Sequence, residues 1–187
     1  MKTIRSAAVA GTLFTLTAGT LLHFVYEWLG PQGAVIGAVN ESTWEHLKLV
    51  FWPMLFFSLA EYAVYGRRLR AFWTSRAAGV LAGMAAVVVL FYTYTGVVGR
   101  NFVPVDIGIF AVAVLLAWWT AWRMLRRPYA WQRRRWAVWA AVVVLAALTV
   151  CFAVFTYWPP HIALFLDPVT GANGLQTEKS PNFRRAE

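Results

Sequence analysis

Five apolar segments, each long enough to cross a bilayer, constrain this chain more than any other feature of its sequence. A transmembrane helix needs about 20 apolar residues, because each residue rises about 1.5 Å through a hydrocarbon core of about 30 Å. The segments are Ala7–Leu29, Trp44–Tyr65, Ala77–Val98, Val103–Trp122 and Trp136–Trp158. The sequence therefore predicts an all-α, polytopic membrane protein built as a bundle of five transmembrane helices.

The composition agrees with this interpretation and excludes several classes of protein. Hydrophobic residues make up 60% of the 187 residues and charged residues only 13%, against about 25% charged residues in soluble domains. The chain carries no P-loop, glycine-rich dinucleotide fingerprint, G-x-S-x-G or haem-attachment motif, so ATPases, Rossmann enzymes and c-type cytochromes are unsupported. We expect one transmembrane domain over residues 1–166 and an extracytoplasmic C-terminal tail over residues 167–187.

The first segment has some features of a secretory signal peptide, since Lys2 and Arg5 precede its apolar run. The 23-residue run over Ala7–Leu29 is longer than the apolar region of such a peptide, and no clear A-x-A cleavage site precedes its polar end. We therefore predict a retained transmembrane helix.

The basic residues predict the orientation of the bundle. Twelve of the seventeen Lys and Arg residues fall before the first helix or in the second and fourth connections. They are Lys2, Arg5, Arg67, Arg68, Arg70, Arg76, Arg123, Arg126, Arg127, Arg133, Arg134 and Arg135. The positive-inside rule places these connections and the N-terminus in the cytoplasm and the C-terminus outside, in the inner (plasma) membrane. This topology explains the net charge of +9 without a nucleic-acid partner; binding of anionic lipid is the alternative.

The histidines and most of the acids gather at the predicted outer side, which suggests a functional site there. The residues are Glu27, Glu41, Glu45, Asp106, Asp167, His23, His46 and His161. His23 lies about 9 Å inside the end of its helix at 1.5 Å per residue, and an ionisable group at that depth is a functional candidate. The competing interpretation is a neutral histidine that forms hydrogen bonds within the bundle.

Three imidazoles from three elements can bind Zn²⁺ and leave a fourth position for water. We predict His23, His46 and His161 as ligands of this zinc ion, with Glu27 or Glu45 as the general base on the water. We expect a further set of residues to orient the metal ligands or to contact the substrate: Glu41, Ser42, Tyr94, Asp106 and Asp167. For Ser42 and Glu45 a capping box at the start of the second helix is an equally good explanation.

Three further features concern packing rather than chemistry. Gly79 and Gly83 form a G-x-x-x-G pattern that permits close approach of another helix. The segment 30–39, polar only at Gln32, is expected to be interfacial or re-entrant. Lys48 and Glu61 lie towards the ends of the second helix, and we expect their charged groups to reach the interface.

Several stretches together resemble a family of small multipass prokaryotic membrane proteins classed as a domain of unknown function. The stretches are His23–Trp28, Val39–Lys48, Phe91–Gly96, Pro159–His161 and Asp167–Gly171. This resemblance covers Leu22–Gly174 and implies no particular activity. Ser42-x-x-x-His46 is similar to a motif of alkaline-ceramidase-like intramembrane zinc hydrolases, which also need an absent H-x-x-x-H pair and have more helices. His23-x-x-x-Glu27-Trp28 is similar to the first helix of the sterol-isomerase-like membrane fold, which has fewer helices.

The function predicted from these features is metal-assisted hydrolysis of a lipid or amphiphile at the outer leaflet. A small transporter or proton-coupled carrier is an alternative, although such a protein should show polar groups along its whole path. A non-catalytic membrane scaffold is the third interpretation. Membrane lipid is the expected partner in each case, and the sequence does not indicate the oligomeric state.

The predicted topology can be checked with reporter fusions. A reporter enzyme that is active only outside the cytoplasm should be active when fused after Glu187 and inactive when fused in the Arg-rich connection after Arg127. The reverse pattern would place the histidines and acids on the cytoplasmic side.

Overall fold

A computed structural model describes residues 2–175 of the chain as a bundle of five long helices. The helices are α1 (Lys2–Leu29), α2 (Thr43–Val64), α3 (Phe72–Val98), α4 (Val103–Arg126) and α5 (Arg135–Tyr157). All five are long and apolar enough to cross a membrane, and no strand occurs within residues 2–175. The predicted all-α, five-helix membrane fold is confirmed.

Part of the predicted tail lies outside the described residues. This part is residues 176–187, which include Lys179, Arg184 and Arg185. At the other end of the chain, Met1 also lies outside the described residues. We name the two ends of the bundle from the predicted topology. The outer end is the one at which α1 ends and α2 begins, and the inner end is the opposite one.

α3 begins at Phe72, five residues before its predicted start at Ala77. The reason is that this first turn is buried in the bundle, although its Thr, Ser and Arg make it look like a loop. The hydroxyls of Thr74 and Ser75 donate hydrogen bonds to the carbonyl of Ala71, 3.0 and 2.7 Å away. The side chain of Arg76 is 2% exposed and pairs with Glu61 of α2. The prediction that the charge of Glu61 reaches the interface is therefore wrong.

The core is formed mainly by α2, which packs against α1 and α3. Its Trp44 and Phe51 rings lie 4.7 and 4.9 Å, centre to centre, from the ring of Phe152 on α5. Pro53 is accommodated inside α2 in a fully packed environment. In the most apolar stretch of α5 only 11% of the residues are buried, the lowest share among the five spans, which leaves most of that stretch to lipid.

α3 and α4 approach each other closely at the G-x-x-x-G pattern of α3. A Cβ atom added to Gly79 would lie 2.5 Å from the carbonyl oxygen of Ala117, and one added to Gly83 would lie 2.8 Å from the Cβ of Ala117. Small residues therefore face each other across this contact, as is typical of helix association in membranes. The predicted role of the pattern in close helix contact is confirmed.

The segment between α1 and α2 turns back into the bundle. The Ala38 N–H donates a hydrogen bond to the carbonyl of Leu22, 3.4 Å away and well inside α1. The indole N–H of Trp52, more than two turns into α2, donates to the carbonyl of Val35 at 3.0 Å. The segment is therefore re-entrant, and neighbouring helices cover its irregular backbone, as the absence of water in a bilayer requires.

Replacing Gly79 by Ala tests the close contact of α3 with α4. The added methyl meets a backbone oxygen at 2.5 Å, so we expect a loss of about 1–3 kcal/mol in the free energy of unfolding. Gly108→Ala is the matched control, because no atom lies within 4 Å of its added Cβ and alanine favours a helix by about 0.5–1 kcal/mol. The measurement is unfolding in mixed micelles; equal stability of the two variants would contradict the contact.

Candidate functional site

The outer halves of α1, α2, α3 and α4 enclose a cavity of about 510 Å³. Seven of its sixteen lining residues are polar or ionisable, and the others are apolar. The polar members are Thr20, His23, Glu41, Thr43, His46, Asn101 and Asp106. The apolar wall includes Phe24 of α1 and Ile107 of α4, which are 38% and 63% exposed on the surface of the bundle. A cavity of this size suits a small ligand or one apolar chain.

Two of the three histidines meet at Glu41 beside this cavity. The His23 Nε2 atom lies 3.6 Å from Glu41 Oε1, and the His46 Nε2 atom lies 3.5 Å from Glu41 Oε2. The two imidazole rings are 5.5 Å apart, centre to centre. Glu41 precedes α2, whereas His23 and His46 lie on α1 and α2, so the short connection between the helices brings the three groups together.

The orientation of the His46 ring follows from its second nitrogen. His46 Nδ1 lies 2.9 Å from the backbone carbonyl oxygen of Ser42. A carbonyl oxygen can only accept a hydrogen bond, so Nδ1 carries the proton. In the neutral imidazole the Nε2 atom that faces Glu41 is then a free lone pair. The ring is thus held with its Nε2 atom facing the Glu41 carboxylate, beside the cavity that both residues line.

Asp106 adds a second carboxylate to the cavity. Its Oδ2 accepts a long hydrogen bond of 3.5 Å from the side-chain amide of Asn101. Its Oδ1 is buried and has no hydrogen-bond partner within residues 2–175. The Nδ1 atom of His23 is buried and unpaired in the same part of the chain. Buried polar atoms normally have partners, so both atoms indicate room for a polar group of a ligand or for water.

A smaller cavity of about 290 Å³ lies beside the first, between Tyr26 of α1 and residues of the connecting segments. Glu41 and Val169 line both cavities. The segment after α5 forms one wall of this smaller cavity, and buried Asp167 holds it in a turn by accepting the N–H of Val169 at 2.8 Å. The side chain of Asn40 also donates to the carbonyl of Gly174 at 2.9 Å. Glu41 therefore lies between the apolar cavity and an opening on the outer side.

Glu45 points away from the histidines, into a buried polar network around Lys48. The Lys48 Nζ atom is fully buried and lies 2.6 Å from Glu45 Oε2. It also donates to the Ala34 carbonyl at 2.9 Å, the Gly37 carbonyl at 3.3 Å and the Thr156 hydroxyl at 2.6 Å. The expectation that the charge of Lys48 reaches the interface is therefore wrong, because protein groups satisfy all its donors inside the bundle.

Only half of the predicted capping box forms at the start of α2. The Ser42 hydroxyl accepts a hydrogen bond of 3.4 Å from the Glu45 N–H. The Glu45 carboxylate does not return a bond to the Ser42 N–H; it accepts the Val39 N–H at 3.0 Å and the Lys48 ammonium instead. The Ser42 N–H donates to the Asn40 side chain at 2.9 Å.

Three other predicted residues lie away from the His23–Glu41–His46 group. Glu27 is exposed at the end of α1 and does not line either cavity, and His161 is exposed on the segment that follows α5. The Tyr94 hydroxyl accepts the N–H of Phe102 and so braces the connection between α3 and α4. Within residues 2–175, no three His, Cys, Asp or Glu side chains form a group arranged to hold a metal ion. The predicted zinc ligation stays a prediction.

The inner end holds a second buried ion pair that the sequence did not lead us to expect. Arg76 Nη2 lies 2.6 Å from Glu61 Oε2, and the guanidinium lies over the rings of Phe72 and Trp118 at 5.0 and 4.8 Å. The Tyr65 hydroxyl donates to Glu61. Burial, helped by this hydrogen bond, raises the pKa of Tyr65 above its usual value, so the hydroxyl keeps its proton.

Thr156 is the member of the buried network that the sequence did not indicate, and Lys48 is the member whose role was predicted wrongly. A lysine one and a half turns into an apolar helix was a usable signal, because ionisable groups in membrane spans are usually paired. Its partner Thr156 lies 108 residues away on α5 and carries no such signal.

A family profile matches residues 4–175 of the chain, and the family is described as a family of unknown function (DUF6512). No curated protein and no solved structure matches the chain significantly.

Replacing Lys48 by Met tests the buried network. The substitution leaves the Glu45 carboxylate buried without a counter-charge and removes the donor to two loop carbonyls, so we expect a loss of about 3–5 kcal/mol in the free energy of unfolding. The double variant Lys48→Met with Glu45→Gln should recover part of that loss. Arg100→Met, at an exposed position, should change stability by less than about 0.5 kcal/mol. A single variant as stable as the wild type would contradict the network.

Proposed function

The chain belongs to this family of unknown function, and from the geometry of its outer cavity we propose that it binds a membrane amphiphile and hydrolyses an ester or amide bond at its head. The observation that carries the proposal is that His23, Glu41 and His46 meet at one side of a largely apolar cavity of about 510 Å³. The apolar chain of the amphiphile would occupy the cavity, and the head would lie against the imidazoles.

The position of the cavity supports entry from the membrane. Phe24 and Ile107 line the cavity and are also exposed on α1 and α4, which are predicted to face lipid. An amphiphile in the outer leaflet can therefore reach the cavity without leaving the bilayer. Water would come from the other side, through the smaller cavity that shares Glu41.

His46 is the best candidate for the general base. Its Nδ1–H is held by the Ser42 carbonyl at 2.9 Å, and its Nε2 faces Glu41 beside the cavity that both residues line. In the proposed step His46 Nε2 removes a proton from water as the water oxygen attacks the carbonyl carbon. The C–O or C–N bond then breaks, and the leaving group takes the proton from the imidazolium. Glu41, 3.5 Å from Nε2, would stabilise the imidazolium.

His23 would complete the site by donating a hydrogen bond to the oxyanion that develops on the carbonyl. Preorganised donors at this position typically contribute about 10²–10³ in rate. Only a tautomer with its proton on Nε2 can do this from the side that faces Glu41. The roles proposed here differ from those expected from the sequence, where Glu27 or Glu45 was the base.

A zinc ion at the same place is a second candidate, because two imidazole nitrogens lie 3.6 and 3.5 Å from one carboxylate. The three side chains would have to move to ligate the ion, since no group within residues 2–175 is arranged to hold a metal. Two histidines and one glutamate form a ligand set that catalytic zinc uses. In this version Glu41 replaces His161 as the third ligand, since His161 is exposed on the segment after α5. Zinc would then supply the activated water, and His46 would no longer be free to act as a base.

Turnover of ester- and amide-linked amphiphiles by the full chain in lipid nanodiscs tests the proposal. We expect His46→Ala to lower turnover by about 10²–10⁴-fold, the usual contribution of a general base. Ile107→Trp, which fills the cavity from its lipid-facing side, should weaken substrate binding. Glu27→Gln separates the two hypotheses: it should keep turnover if the cavity is the site and lose it if Glu27 is the base. Turnover that is unaffected by His46→Ala would refute the proposal.

The metal requirement is settled by measuring zinc content alongside turnover. If His46 acts without metal, chelator-treated protein keeps its turnover. If zinc is the catalyst, turnover falls on chelation and returns with zinc, and Glu41→Gln loses the ion. A requirement for His161, shown by loss of zinc in His161→Ala, would restore the ligand set predicted from the sequence.

A further inference from the structure

The polar side of the outer cavity has more hydrogen-bond acceptors than donors. Glu41 contributes two carboxylate oxygens, Asp106 two more, and His46 the free Nε2. The donors among the described lining side chains are an imidazole N–H of His23 and the amide of Asn101, which reaches Asp106 only at 3.5 Å. The hydroxyls of Thr20 and Thr43 also line the cavity, but they donate to the Leu16 carbonyl and to the Tyr92 hydroxyl. A ligand that binds here must therefore bring donors.

The charged side chains of the cavity also favour a ligand whose head donates hydrogen bonds. Glu41 and Asp106 both line this cavity, so its wall contains two carboxyl groups. Among the described residues, the two buried basic side chains of the bundle already form ion pairs outside this cavity: Lys48 with Glu45, and Arg76 with Glu61. No Lys or Arg is among the residues that line the cavity. Within residues 2–175, an anionic head group would meet two carboxylates here and no basic side chain in the cavity wall.

The unpaired oxygen of Asp106 is the most specific feature. Asp106 Oδ1 is buried and has no hydrogen-bond partner within the described part of the chain. A buried carboxylate oxygen without a donor is costly, and a charged donor from a ligand would remove that cost. The lone pair of His46 does not compete for such a donor if it serves as the base.

We propose that the amphiphile taken by the outer cavity carries a protonated amine in its head, and that Asp106 and Glu41 bind the ammonium group. This inference deepens the proposed function and rests on it. An ammonium group offers three N–H donors and a positive charge between two carboxylates. Primary amines of this kind are protonated near neutral pH, since their pKa is about 10.4. The apolar chain lies against Phe24 and Ile107.

The test compares three probes that differ only in the head: dodecylamine, dodecanol and dodecanoate. Binding to the full chain in nanodiscs is measured by titration calorimetry and corrected for partition into protein-free nanodiscs. Charge-assisted hydrogen bonds contribute about 1.5–3 kcal/mol each, so dodecylamine should bind about 10- to 100-fold more tightly than dodecanol. Dodecanoate should bind more weakly than dodecanol.

Variants test whether the preference for dodecylamine over dodecanol comes from the two carboxylates. Asp106→Asn and Glu41→Gln should each lower the affinity for dodecylamine about tenfold and leave the affinity for dodecanol within about threefold. Glu27→Gln removes an acid from the same end of the bundle but outside the cavity, and should keep the full preference. Thermal unfolding of each variant controls for loss of fold.

The outcomes separate this inference from the proposed function. Equal binding of all three probes, lost in Ile107→Trp, would overturn the ammonium assignment and leave the amphiphile site standing. No saturable binding of any probe, with Ile107→Trp behaving as the wild type, would refute both. Zinc added alone that binds in a Glu41-dependent way, together with no preference for the amine, would assign the acceptors to a metal ion and overturn the ammonium site.

Discussion

The hydrogen bonds of the buried Lys48 ammonium hold the outer end of the bundle together. A re-entrant segment exposes backbone carbonyls at a depth where no bulk water can satisfy them. Lys48 donates to two of these carbonyls, to the Glu45 carboxylate and to Thr156 of α5. One charged group thereby ties the segment between α1 and α2 to the body of α2 and to α5. The same segment packs against α1 at the level of Leu22, where the Ala38 N–H donates to the Leu22 carbonyl.

The position of the site depends on this anchor. Because the re-entrant segment runs back outwards before α2 begins, Glu41 lies beside His23 of α1 while its side chain stays 48% exposed. Glu45 contributes by turning inwards: its carboxylate accepts the Val39 N–H and the Lys48 ammonium. The residues of this network stabilise the fold around the cavity, and the residues they position are the ones left free for a ligand.

The bundle thus divides its ionisable groups into two kinds. Lys48 with Glu45, and Arg76 with Glu61, form short buried pairs near opposite ends of α2. Such pairs are costly to bury and strongly destabilising to break, so they suit the role of fixed links between elements. His23, Glu41, His46 and Asp106 are only partly buried and partly paired, and they share one cavity. This contrast supports the assignment of function to the second group.

The sequence by itself determined the five spans, the close contact at Gly79 and Gly83, and the gathering of histidines and acids towards one end. These features follow from residue hydropathy, side-chain size and spacing along the chain, which are local properties. Only the tertiary structure decided that Glu41 rather than Glu45 faces the histidines, that Lys48 and Arg76 are buried in ion pairs, and that His161 stays exposed. The physical reason is that a buried charge is stable only beside its partner, and partners such as Thr156 come from helices far apart in the chain.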